Sequence, residues 1–96
     1  MSTVRVTKEF QGISADEAYT LAENALEASG LEIWKRRPLA WLIMADLNDD
    51  NGTIRGNVAC RPGNGASITI TLDSEDHDEP LLSSLVEKFF ETLDQR

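Results

Sequence analysis

His77 is the only imidazole in the 96 residues, and it stands among Asp76, Asp78 and Glu79. An imidazole and carboxylates can hold a divalent cation. Sites that hold one firmly, however, draw ligands from separated elements, and a single short loop preorganises none of them. The segment is expected to be a solvated loop that caps the helix after it. Cys60 could serve as a nucleophile only beside a base that takes its proton, and the alternation around it points the thiol into a core instead. Asp46, Asn48 and Asp50 alternate as the ligands of a calcium loop do. Glycine falls at the seventh position counted from Asp46 instead of the sixth, and Asn57 stands where the bidentate glutamate belongs, so a turn is expected. Tyr19 and the scattered carboxylates form no pair of defined spacing on facing elements, which leaves acid–base chemistry without named players. The chain is expected to be no enzyme and to need neither a cofactor nor a metal.

Charge narrows the partners. Lys and Arg number 9 against 17 Asp and Glu, a formal charge of -8. The mean field of such a surface repels a polyanion, so nucleic acid is not expected as a partner. The basic residues Lys35, Arg36 and Arg37, with Arg55 and Arg61 in later segments, are a local exception. No apolar run approaches the roughly 18 residues that cross a bilayer, so no membrane is expected either. The opening residues, MSTVRVTKEF, hold no apolar signal segment, and Cys60 is alone, which together predict a reducing, cytoplasmic setting. A hydrophobic fraction of 41% and a charged fraction of 27% describe a folded chain, and its length suits one domain spanning residues 1–96.

The elements that must position these residues follow from periodicity. Thr3 to Phe10 alternates apolar and polar, the mark of a half-buried strand. Ser14 and Glu17 form a capping box that starts a helix whose stripe is Ala15, Ala18, Tyr19, Ala22, Ala25 and Leu26, small enough for close approach to whatever supports it. Gly30 ends that helix, and Leu31 can fold back onto Leu26. The most hydrophobic run, LAWLIMADL from Leu39 to Leu47, is expected to be the central strand, apolar on both faces. A short strand, Leu31 to Lys35, precedes it through Arg36, Arg37 and Pro38. A three-residue turn there pairs Ile33 with Trp41 and Leu31 with Ile43, so that Leu39, Trp41 and Ile43 build the core under the helices and Trp34, Leu42 and Met44 are left on the other face. A two-residue turn instead brings the two tryptophans together. Tight two-residue turns need positive φ, which proline cannot supply, so the longer turn is preferred.

Asn51 and Gly52 close the next hairpin. Thr53 to Arg61 forms a strand in which Gly56 marks a bulge or a close approach. Ser67 to Asp73 alternates without a break, Ile68, Ile70 and Leu72 against small hydroxyls. Pro80 opens a last helix whose broad arc of Leu81, Leu82, Leu85, Val86, Phe89, Phe90 and Leu93 is expected to wedge between the sheet and the first helix. The fold class is thus α+β: a five-stranded antiparallel sheet with two helices on one face, in the order β-α-β-β-β-β-α, provided the first strand lies beside the last.

This order resembles the TATA-binding-protein-like fold and the skeleton of the START-like helix-grip proteins, a likeness of topology. The resemblance implies a small hydrophobic-ligand carrier as one function, with Trp41, Val86, Phe89 and Phe90 lining or filling the pocket. The residues themselves point to another: a small acidic protein-interaction module, or a homodimer, built on the open sheet face or edge. Trp34, Leu42 and Met44 would form its apolar patch, and Arg36, Arg55 and Arg61 its rim. An acidic, chaperone-like adaptor for a basic peptide is a third reading, from charge and size.

Overall fold

In the computed structural model, residues 1–95 are described. Their elements run β1 (Ser2–Phe10), α1 (Ala15–Ala28), β2 (Glu32–Arg37), β3 (Leu42–Asp49), β4 (Gly52–Gly63), β5 (Gly65–Ser74) and α2 (Glu79–Asp94). The strands form one open antiparallel sheet in the order β1-β5-β4-β3-β2. The predicted class and element order are those observed, and β1 does lie beside β5.

Both ends of α1 form where local chemistry places them. Ser14 Oγ accepts from the Glu17 amide at 3.1 Å, while the Glu17 carboxylate accepts from the Ser14 hydroxyl at 3.3 Å instead of reaching back to the Ser14 amide. At the other end Gly30 takes φ +89°, the left-handed region that a side chain disfavours. Its amide donates to the Glu27 carbonyl and the Leu31 amide to the Leu26 carbonyl, each at 3.0 Å, so two orphan carbonyls are satisfied. Leu31, delivered by that reversal, is buried in the core.

Pairing places Ile43, Ala45, Ile54, Val58, Cys60, Ile68, Ile70 and Leu72 on one face, all buried in a single cluster with both helices. Helix α1 lies over β2 to β5 and touches α2, which lies beside it over β1 and β5. Helix α2 is therefore not wedged beneath α1. The alanine stripe of α1 lets its backbone settle directly on the sheet, leaving no room for a helix between them. From α2 come Leu82, Val86, Phe89, Phe90 and Leu93; Phe89 and Phe90 meet edge to face at 5.1 Å, and Phe90 stacks on Phe10 at 6.4 Å. Gly56 marks a close approach and no bulge. The ladder runs unbroken through it on both sides, and a Cβ there would lie 2.9 Å from Leu72 Cδ2 and 3.2 Å from the Ala45 carbonyl.

The run from Leu39 to Leu47 is not one strand, and it is not central; β4 is. Pro38–Ala40 form a single 3₁₀ turn, closed by the Trp41 amide on the Pro38 carbonyl at 3.2 Å, and Trp41 sits at φ +50°. A proline lacks a ladder donor and has a fixed φ, so it starts a turn more readily than a strand. Leu39, expected in the core, is 99% exposed at the tip of this turn. Strand β3 begins only at Leu42 and pairs Arg37 with Leu42, Arg36 with Ile43, Lys35 with Met44, Ile33 with Ala45 and Glu32 with Asp46. Neither predicted register occurs, because the turn is longer than either and Trp34 is the extra residue of a β-bulge.

The β5–α2 loop is tied down as well. Buried Ser74 donates to the Thr53 carbonyl at 2.7 Å and accepts from the amides of Asp76 and His77, each at 3.1 Å; the Asp76 carboxylate accepts from the Thr53 amide at 3.0 Å. His77, expected to be solvated, has a side chain only 8% exposed, with Nε2 3.1 Å from Asp49 Oδ1. The β3–β4 turn reaches the loop through tertiary packing and covers the ring.

Candidate interaction surface

Directly opposed residues of an antiparallel ladder share a face, so the registers write out the face away from the helices as rows across the strands. One row reads Arg37, Leu42, Ala59, Thr69, Thr7; the next Lys35, Met44, Asn57, Thr71, Arg5; the next Glu32, Asp46, Arg55, Asp73, Thr3. Beyond the Arg37 row, Arg61, Ser67 and Glu9 follow one another on β4, β5 and β1. Apolar side chains gather toward β2 and β3, hydroxyls toward β5 and β1. The Thr7 and Thr69 hydroxyls bond each other at 2.8 Å, satisfying both at the plain end of the face.

Trp34 crowns the apolar end. It is the extra residue of the bulge, and its side chain rims a shallow depression of about 300 Å³ together with Met44, Asp46, Arg55, Asn57 and Asp73. It is 59% exposed, whereas Met44 and Leu42 are half-buried beside it. Arg55 and Arg61 are exposed on the same face. Five of the six predicted interface residues therefore share this face.

Arg36 does not. It lies opposite Ile43 and points to the helix side, where its guanidinium pairs with Glu23 at 3.2 Å and Glu27 at 3.7 Å. The bulge at Trp34 shifts the alternation by one residue, so Lys35 and Arg37 take the rim positions that sequence spacing assigned to Arg36. Sequence reasoning missed Lys35 and Arg37 because the bulge puts them out of step and no local rule announces it. It also missed Glu32, Asp46 and Asp73, whose signal was present: they alternate in step with Trp34, Met44 and Thr71.

The pocket set divides. Val86, Phe89 and Phe90 are buried in the core, whereas Trp41 is only partly buried at the margin of that cluster, its indole N–H donating to Asp16 Oδ1 at 2.8 Å. The left-handed turn at Trp41 carries its ring to the start of α1. A broad depression of about 760 Å³ lies near that point, lined by Gln11, Ile13, Asp16, Glu17, Thr20 and Leu21; none of the four predicted pocket residues lines it. Burial pushes the Cys60 thiol up to about 11, the opposite of what a nucleophile needs. Tyr19 is also raised, by burial first and by the nearby Glu23 carboxylate second, while its hydroxyl donates to the Leu42 carbonyl at 3.3 Å.

Charge is distributed unevenly. Among the described residues the open face carries Arg5, Lys35, Arg37, Arg55 and Arg61 against Glu9, Glu32, Asp46 and Asp73, a net of +1. Because the chain totals -8, everything else carries -9. The helices and loops hold the acidity, and the sheet face is close to neutral.

No protein-family model matches the chain, and no curated protein matches it by sequence. Solved structures do match its fold, which is that of an α+β domain with one open antiparallel sheet. The chain is similar to the protein TTHA0849 from Thermus thermophilus, with a TM-score of 0.68 and 15% identity over 98% of this chain and 95% of that one. It is also similar to CV1439 from Chromobacterium violaceum, with a TM-score of 0.60 and 11% identity over 97% of this chain and 95% of that one. At these identities the likeness is one of fold.

Proposed function

We propose that the protein is a small acidic interaction module, without catalytic activity or cofactor, that binds a protein partner through its open sheet face, anchored on β2, β3 and β4. The observation that carries this reading is Trp34: a bulged tryptophan, 59% exposed, beside half-buried Met44 and Leu42 and flanked by Lys35, Arg37, Arg55 and Arg61. Tryptophan and arginine are the residues most often found anchoring interfaces, because a large rigid apolar surface and a planar cation both gain when water is removed from around them. Bulges commonly re-aim a side chain at a functional surface. The skeleton is read as that of the helix-grip proteins with its ligand space filled, since Val86, Phe89 and Phe90 occupy the region between α2 and the sheet. That packing gives the carrier reading less support. A lone, buried Cys60 suits a reducing compartment such as the cytoplasm.

Affinity capture from cell extract tests the reading, with the wild-type chain compared against Trp34→Ser and Met44→Glu. All three should melt at similar temperatures, and partner capture should drop with both variants. If captured proteins are the same for all three chains, the open face is not the binding surface.

A further inference from the structure

We infer that the occupant of this face is a second copy of the chain, packed sheet against sheet. The inference rests on the reading of the open face as the binding surface and adds the identity of the partner. Two copies each carrying -8 repel one another over most of their surface. Contact through helices or loops would bring together regions that share a charge of -9. Contact through the open faces brings together two surfaces of net +1, and it holds the acidic layers on opposite outer sides of the pair.

The face is also complementary to itself. On β2, Glu32 lies in one row, Lys35 in the next and Arg37 in the one beyond. A half-turn about an axis that crosses the strands between the first two rows exchanges them, so Glu32 of each copy meets Lys35 of the other, in two equivalent pairs. The same operation gathers the Trp34 and Met44 side chains of both copies near the axis. An isologous contact of this kind closes on itself and stops at two.

Area sets the strength. With strands about 4.8 Å apart and rows about 6.7 Å apart, five strands and four rows present a face of roughly 650 Å². Two such faces bury about 1,300 Å² together, near the lower end of stable interfaces, which fits a reversible dimer with an apolar centre about 10 Å thick.

Sedimentation equilibrium on the purified chain, from micromolar to millimolar concentration, reads this directly. The mass should climb from 10.6 kDa toward twice that value. Trp34→Ser, Met44→Glu and Lys35→Glu should each weaken self-association by about tenfold or more, and Glu32→Lys combined with Lys35→Glu should recover much of the loss. A chain that stays at 10.6 kDa throughout overturns the inference. So does a dimer indifferent to all of these substitutions, which would place the contact elsewhere. If the chain is monomeric yet captures a protein from extract in a manner that depends on Trp34 and Met44, the second copy is wrong and the binding face stands. If neither association is seen, both readings fall.

Discussion

The two ends of the sheet obey the same rule of alternation and give different results. At one end β1 and β5 pair without interruption from Ser2 opposite Ser74 to Phe10 opposite Ala66. Their inner face is closed by α2 and, over β5, by α1; their outer face is mostly hydroxyls, with Arg5, Glu9 and Asp73 among them. At the other end β2 and β3 pair around a bulge, begin from a left-handed tryptophan and hold their largest ring out in solvent. The regular end stabilises the molecule. The irregular end presents side chains that the core does not need, and it is where binding is proposed.

Substitutions sharpen the contrast. The largest effect should fall on the regular end: Phe89→Ala, at a fully buried ring contacting Phe90, should cost about 3–5 kcal/mol by urea denaturation. A loss below about 1 kcal/mol would mean that α2 packs loosely. At the centre, Gly56→Ala forces a methyl against Leu72 and the Ala45 carbonyl and should cost about 1–3 kcal/mol. Wild-type stability there would show that the strands can part.

Cys60 gives a pH readout of the same core. Its thiol is raised from 9.0 to about 11 in the folded chain by burial. The protonated form is favoured by folding, so its contribution is fully present below about pH 9 and fades as pH rises toward 11. The melting temperature should therefore drop more steeply across that window for wild type than for Cys60→Ala. Parallel curves would show that burial does not govern the thiol.

The exposed and half-buried positions of the irregular end should yield smaller changes. Trp41→Phe removes the indole hydrogen bond to Asp16 and should cost about 1 kcal/mol. Leu39→Ser, at a side chain 99% exposed, should move stability by no more than about 0.5 kcal/mol. That last result is the sharpest test of how the hydrophobic run divides, since Ile43→Ala, four residues later at a fully buried site, should cost about 2–5 kcal/mol.

Much of this fold is legible in the sequence because its signals are local. The Ser14 capping box, the Gly30 reversal, the Asn51-Gly52 turn and the strict alternation of β5 each involve residues within a few positions of one another, and each fixes a dihedral or a face by itself. Trp34, Leu42, Met44, Arg55 and Arg61 could be placed on a common face for that reason. Arg36 could not, because a single bulged residue reverses the facing of what comes before it relative to what comes after, and no neighbour announces the bulge. Leu39 failed for a related reason. Hydrophobicity marks what burial would favour, whereas Pro38 and the long turn decide what reaches the core.

By itself, then, the sequence determined the elements, their order and the acid excess, all of which follow from periodicity, caps and composition. Only the tertiary structure decided that β4 is central, that α1 and α2 lie side by side, that His77 is covered by Asp49, and that the open face escapes the acidity of the chain. Those outcomes depend on which strands pair and in what register, and register is settled by contacts between residues far apart in the chain.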